Sequence, residues 1–93
     1  GMQYYAIIGD IKRSKKIENR CKIQEKLKKI LDNVNSIYNN DISAKFLITL
    51  GDEFQGLLEI TAPILEIIKY IQIYSKLYNI FKFTKYIVTI YQN

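Results

Sequence analysis

The sequence contains no histidine and only one cysteine, Cys21, among its 93 residues. A lone cysteine forms no disulfide within its chain, and zinc sites are built mainly from cysteine and histidine. Nucleophiles that depend on a histidine base, and imidazole acid–base catalysis, are excluded for the same reason. Carboxylates, lysines, hydroxyl groups and a hard metal ion therefore remain as the means of chemistry.

Long apolar segments are also missing. No run approaches the roughly 18 apolar residues that a membrane span needs, and no segment has the pattern of a secretory signal. We therefore expect a cytoplasmic protein with no membrane partner. Apolar residues make up 48% of the sequence, which suits one domain with one core from Met2 to Asn93, Gly1 being taken as a residual tag residue.

Positive charge is concentrated in one part of the chain. The net charge is +5, and nine of the fourteen basic residues lie between Lys12 and Lys29. Such a block attracts the phosphates of a nucleotide or of nucleic acid. More often, a run of charges is only the solvated face of a helix. The sequence leaves both interpretations open.

Apolar periodicity divides the chain into six elements. Residues 3–9 form a β-branched and aromatic run, which predicts a central strand buried on both faces. From Ile17 to Tyr38 the apolar residues recur with the period of a long amphipathic helix, which a turn at residues 39–41 ends. The other segments predict two strands joined by a hairpin turn, a second helix and a last strand, at 45–50, 54–60, 63–78 and 81–91.

The apolar stripes of the two helices predict the core. The first stripe consists of Ile17, Cys21, Ile23, Leu27, Ile30, Leu31, Val34, Ile37 and Tyr38, and the second consists of Ile64, Ile67, Ile68, Ile71, Tyr74 and Tyr78.

The order strand, helix, strand, strand, helix, strand is that of the ferredoxin-like α+β fold, in which two helices cover one face of an antiparallel sheet. A right-handed crossover makes the first two strands parallel, and the third strand lies beside the first. The end of the first strand and the hairpin turn are therefore expected to meet at one end of the sheet.

Both segments that meet there carry an acidic motif. Ile-Gly-Asp-Ile occupies residues 8–11, and Leu-Gly-Asp-Glu-Phe occupies residues 50–54. The topology predicts that Asp10 lies near Asp52 and Glu53. Three carboxylates without histidine or cysteine repel one another, which either a bound divalent cation or a raised carboxylate pKa relieves. Mg²⁺ or Mn²⁺ is the natural candidate for the cation. Because Mg²⁺ keeps waters and substrate phosphates in its coordination shell, such a site commonly serves phosphate chemistry.

Residues that adjoin the carboxylates complete the predicted site. The main-chain carbonyl of Ile11 is predicted as a further metal ligand. Phosphate or nucleotide oxygens are predicted to contact Lys12, Arg13, Ser14, Lys15 and Gly51. The alternative is that each motif is only a turn, because Gly-Asp is common in hairpin turns and Asp after a strand is a common helix-capping or turn residue. The predicted convergence of the two motifs is what favours a site.

The motifs resemble those of known families. Asp10-Ile11 with Gly51-Asp52 resembles the class III nucleotide cyclases, where an Asp-Ile and a Gly-Asp hairpin hold two metals. Residues 51–54 are similar to the end of the Gly-Gly-Asp-Glu-Phe signature of diguanylate cyclases, with Leu50 in place of the first glycine. The most extensive resemblance, over about residues 2–80, is to the SatD family of small bacterial proteins, and it rests on Ile8 to Ile11, Arg13-Ser14-Lys15 and the hairpin Thr49 to Gly56.

The resemblance to these families implies a palm-like domain that binds a divalent metal and a nucleotide or another phosphate ligand. For an enzyme, it implies metal-dependent nucleotidyl or phosphoryl transfer. SatD-like proteins are longer than this chain, so the resemblance also implies a fragment or a shortened relative. Two alternatives stay open. One is a non-enzymatic regulatory or nucleic-acid-binding module that uses the basic block, and the other is a homodimerisation domain that pairs through the last strand.

Overall fold

Four strands, two helices and a short 3₁₀ turn make up the part of the chain that the structure describes. This structure is a computed structural model that describes residues 3–11, 17–50, 53–77 and 83–92, with side chains for 3–10, 21–49 and 53–77. The elements are β1 (Gln3–Ile11), α1 (Ile17–Ile37), η1 (Asn39–Asp41), β2 (Ile42–Leu50), β3 (Glu53–Glu59), α2 (Ile64–Leu77) and β4 (Phe83–Gln92). The predicted α+β class and the order of the elements are confirmed.

The strands form one antiparallel sheet in the order β2-β3-β1-β4. The predicted central position of β1 and its place beside β3 are thereby confirmed. The prediction that β1 stops at Gly9 was wrong, because the strand runs to Ile11. Pairing with β3 and with β4 continues through Asp10, so this residue lies within the sheet rather than in a turn after it.

Both helices pack against the same face of the sheet. Their buried side chains share one cluster with side chains from three strands: Ile7, Leu27, Ile30, Leu31, Val34, Tyr38, Phe46, Phe54, Leu58, Ile67 and Ile71. The prediction failed for Cys21, which is exposed, and for Ile37, which is 59% exposed. At 3.6 residues per turn, Cys21 lies about 120° and Ile37 about 80° around the helix from Leu27. Within the described residues, neither helix has the length and apolarity needed to cross a membrane.

The opposite face of the sheet is here called the open face. In β1 the alternation of side chains buries Ile7 completely, whereas Ala6 and Ile8 are only half-buried. The prediction that this strand is buried on both faces was therefore wrong. An apolar run reads as a fully buried strand, but an antiparallel sheet with both helices on one side leaves its other side accessible.

A side chain of α1 pairs with the backbone of the edge strand β2. The amide of Asn35 donates to the carbonyl oxygen of Phe46 at 2.9 Å and accepts from its N–H at 2.8 Å. The β2–β3 register is irregular between Ala44 and Leu47. Asn35 thus satisfies both backbone polar groups of Phe46, which has no register partner in β3 at this irregularity.

Tyr38 joins the end of α1 to α2. Its hydroxyl donates a hydrogen bond to a carboxylate oxygen of Glu66 at 2.7 Å. Burial, followed by the hydrogen bond and the negative charge of Glu66, raises the pKa of Tyr38 to about 12. The neutral hydroxyl is therefore favoured in the folded state.

This shift predicts how stability changes at alkaline pH. The pKa of Tyr38 is higher in the folded state than the unfolded value of about 10. The resulting contribution to stability is complete below about pH 10 and is lost as the pH rises through about 12. Replacing Tyr38→Phe should remove this loss, so that the free energies of unfolding of the two proteins converge between pH 9 and pH 12 in urea denaturation. Parallel curves would contradict the prediction.

Candidate functional site

The structure brings together one carboxylate from each acidic motif. Asp10 in β1 and Glu53 in β3 are register partners. Directly opposite residues of an antiparallel pair have their Cβ atoms about 5 Å apart and their side chains on one face. That face is the open one, because Gly9 and Phe54, the neighbours of this pair, are buried toward the helices. Both residues are half-buried.

Other predicted site residues lie outside the described residues. These are Lys12, Arg13, Ser14 and Lys15, which follow β1, and Gly51 and Asp52, which connect β2 to β3. The backbone of Ile11 is described, and the register with β4 shifts between Asp10 and Ile11. The extra residue at this shift lies in β4, between the partners of Asp10 and Ile11, and irregularities of this kind are common beside active sites.

Two further residues accompany the carboxylates. The Thr49 hydroxyl lies 3.4 Å from a carboxylate oxygen of Glu53 and 3.4 Å from its main-chain oxygen, at the long limit of hydrogen bonding. On the other side, Lys85 of β4 is the register partner of Asp10. The row across the sheet therefore reads Glu53, Asp10, Lys85, with a basic position beside the acidic pair.

The residues next to the acidic pair hold the two motifs in register. Gly9 and Phe54 are register partners on the core side, and a Cβ atom on Gly9 would lie 2.2 Å from Cζ of Phe54. The Phe54 ring thus occupies the space that a side chain at Gly9 would fill. Gly9 of one motif and Phe54 of the other pack together on the core side. The adjacent residues Asp10 and Glu53 lie opposite each other on the open face.

Sequence reasoning missed this structural role of Gly9 and Phe54. A sequence signal did exist, since each residue lies one position from a carboxylate and successive side chains of a strand point to opposite faces. The same arrangement recurs at Gly56, where a Cβ atom would lie 2.5 Å from the ring of Phe46. Aromatic rings that lie over strand glycines are a known means of fixing register.

The open face also carries a shallow groove that the sequence did not predict. Its volume is about 400 Å³, and it is lined by Ala6, Ala44, Lys45, Leu47, Gln55, Gly56 and Leu57. The register places Gln55 between Ile8 and Leu47, one row from the acidic pair. It places Leu57 between Ala6 and Ala44 in the row beyond.

The acidic pair offers two carboxylates as possible ligands for a metal ion. Among the described residues, no group of three or more His, Cys, Asp or Glu side chains is placed to hold a metal ion. Two carboxylates match the number that Mg²⁺ commonly takes from a protein, with waters and phosphate oxygens completing its octahedron. The third predicted carboxylate, Asp52, falls outside the described residues.

Within the basic block, the residues whose side chains the structure describes lie on α1 and begin at Lys22, twelve positions after Asp10. Lys22, Lys28 and Lys29 are exposed. Lys28 forms an exposed ion pair with Asp32, one helical turn later, at 2.8 Å. Exposed pairs of this type stabilise a helix by only about 0.3–0.5 kcal/mol. This part of the block has the character of a solvated helix face.

Comparison with known proteins adds a family and a fold. The model of the SatD family (SatD) matches residues 4–90. The solution structure of a hypothetical Arabidopsis thaliana protein is similar over 100% of this chain and 88% of that chain, with a TM-score of 0.56 and 14% sequence identity. At that identity the likeness shows the fold alone. No curated protein matches the sequence.

Proposed function

The chain belongs to the SatD family, and on that premise we propose that it binds a divalent metal ion and a phosphate-bearing ligand at the end of the sheet where Asp10 meets Glu53. The observation that carries the proposal is the register pairing of these two carboxylates on the open face. Like charges directly opposite each other destabilise a sheet unless another group compensates them. A bound cation supplies that compensation.

The proposed metal is Mg²⁺ or Mn²⁺. Asp10, Asp52 and Glu53 are the side-chain ligands in this proposal, and the main-chain carbonyl of Ile11 is the fourth. Oxygen donors are the ligands that these hard cations prefer. The register of β1 with β4 shifts between Asp10 and Ile11. Irregularities of this kind are over-represented next to active sites, which supports the proposal.

The ligand side of the proposal rests on the segments that adjoin the pair. Lys12, Arg13, Ser14 and Lys15 follow β1, and Gly51 follows β2. Their donors suit the phosphate oxygens of a nucleotide, while the metal neutralises the remaining phosphate charge. If a reaction follows binding, the chemistry of this set is metal-assisted phosphoryl or nucleotidyl transfer.

The ferredoxin-like and palm-like assignment belongs to the same proposal. The strand order β2-β3-β1-β4 supports the split β-α-β arrangement. The position of the acidic pair at the end of two central strands supports the palm-like interpretation, in which that end of the sheet holds metal and phosphate.

Lys85 provides the main competing explanation. Its register position beside Asp10 allows a lysine, rather than a metal, to offset the carboxylate charge. The two explanations differ in a measurable way, because only the first makes stability depend on a divalent cation.

Thermal denaturation with and without metal tests the proposed function. A ligand at about 100 times its Kd stabilises the folded state by about 2.7 kcal/mol, which for a small domain raises Tm by roughly 10 °C or more. We expect such a rise with millimolar Mg²⁺ or Mn²⁺, and a further rise when inorganic tripolyphosphate is added. The control is NaCl at equal ionic strength with EDTA. A Tm that millimolar Mg²⁺ and Mn²⁺ leave unchanged would overturn the proposal.

A further inference from the structure

The groove on the open face lies in line with the acidic pair. Along β3, the open-face residues Glu53, Gln55 and Leu57 follow one another at every second position. Each step of two residues advances about 7 Å along a strand. The groove therefore begins about 7 Å from the acidic pair and extends to about 14 Å from it. An extended nucleoside triphosphate bridges such a span.

The lining of the groove suits a flat ring. Ala6 and Ala44 leave a low floor at either side of Leu57, since the three share one row of the sheet. Leu47, whose side chain is 53% exposed, rises at one wall. These groups offer apolar contact to the faces of an aromatic ring, and small-molecule sites typically combine such contacts with a few polar groups that fix orientation.

Gln55 supplies the polar group. Its side chain is exposed and lines the groove, and no hydrogen bond of its amide is found within the described residues. A glutamine amide has a carbonyl acceptor and an NH₂ donor side by side. On the edge that carries N7, adenine presents the complementary pair, a donor at N6 and an acceptor at N7, whereas guanine presents two acceptors, O6 and N7. Discrimination between the two purines therefore requires that this edge face Gln55.

We infer that this groove binds the adenine base of a nucleotide whose phosphates lie at the acidic pair. In this inference the N6/N7 edge of the base faces Gln55, which thereby selects adenine over guanine. The inference rests on the proposed function for the phosphate end of the ligand. The base end rests on the groove alone. The two ends can therefore be tested with separate probes.

The test uses ¹⁵N-labelled protein and three probes observed by NMR. Adenosine reports on the groove, inorganic tripolyphosphate with Mg²⁺ reports on the acidic pair, and ATP with Mg²⁺ reports on both. We expect adenosine to shift the amide signals of residues in the groove, and guanosine to do so at least about fivefold more weakly, since a bidentate pair discriminates by about 1–3 kcal/mol.

Substitution of Gln55→Leu removes both hydrogen-bonding groups at similar size. It should weaken adenosine and ATP binding about tenfold while leaving tripolyphosphate binding unchanged. The matched control is Gln72→Leu, at an exposed glutamine on α2, which should change neither. Ala44→Trp is a second variant. It fills the groove at an exposed position and should abolish adenosine binding without loss of the fold, which circular dichroism checks.

Two results would overturn the inference. The first is that adenosine at millimolar concentration shifts no amide signal of the groove residues. The second is that adenosine binds Gln55→Leu and Ala44→Trp as well as it binds the parent. If tripolyphosphate binds the parent in either case, the proposed function stands and only the base site fails. If adenosine binds in a manner that depends on Gln55 but tripolyphosphate and metal do not bind, the groove stands and the proposed function fails.

Discussion

Replacing Gly9 by alanine is expected to remove a large part of the stability of the domain. The new Cβ atom would lie 2.2 Å from Cζ of Phe54, whose side chain is completely buried. The ring lies in a close-packed core and β1 is paired with a strand on both sides, and overpacking of a buried site costs about 3 kcal/mol at the upper end of its usual range. A chain of 93 residues has a total of about 5–14 kcal/mol. Urea denaturation measures the loss.

A double-mutant cycle shows whether the ring is the cause. Phe54→Leu alone leaves space in the core, and in the double variant that space accommodates the alanine at position 9. The double variant should therefore be clearly more stable than the sum of the two single effects predicts. Strict additivity would contradict the contact between Gly9 and Phe54 as the reason for the glycine. In Gly9→Ala, the rise in Tm that Mg²⁺ produces should also be smaller than in the parent, because the contact between Gly9 and Phe54 adjoins the pair Asp10 and Glu53.

Neutralising Asp10 should have opposite effects on the metal-free and the metal-loaded protein. In Asp10→Asn and in Glu53→Gln, removal of one of two opposed like charges should leave metal-free stability unchanged or raise it by about 0.2–1 kcal/mol. Both variants should lose the metal-dependent stabilisation, about 2.7 kcal/mol at 100 times the parent Kd. Thermal denaturation with and without Mg²⁺ measures both quantities.

Glu59→Gln is the matched control for this pair of variants. Glu59 lies on the same strand and on the same face as Glu53, at the far end of β3, opposite Tyr4. Its loss should leave the metal response intact. If Asp10→Asn responds to metal as the parent does, Asp10 is not a ligand. If the same change lowers metal-free stability and Lys85→Gln lowers it equally, the lysine rather than a metal offsets the carboxylate.

Local patterns in the sequence predicted the elements because each pattern has its own period. The stripe from Leu27 to Val34 has the period of a helix that buries one face, and α1 buries Leu27, Ile30, Leu31 and Val34. Cys21 entered the predicted stripe only because it is apolar. Its angle around the helix excludes it, and this could have been read from the sequence. Which face of β1 is buried could not be read from the sequence, since its apolar residues do not reveal which face the helices cover.

The acidic pair was less accessible to prediction than the fold. The order of the elements indicates that the end of β1 lies near the start of β3, which is a statement about neighbourhood. Whether Asp10 faces Glu53 or points away from it depends on the register, and a shift of one residue moves a side chain to the other face. The sequence did not indicate a role for Gln55, because the groove forms only when three strands lie side by side.

The sequence by itself determined the chemistry that this protein has at its disposal: carboxylates, lysines and hydroxyls, with no histidine and one cysteine. It also determined the order of strands and helices through their hydrophobic periods. The tertiary structure alone decided that Gly9 lies under Phe54, that Asp10 therefore meets Glu53, and that a groove continues from this pair. The physical reason is that a side chain on one strand fills space next to a residue of the neighbouring strand, which is distant in the sequence. The space a glycine leaves empty has meaning only when the ring that fills it is in place.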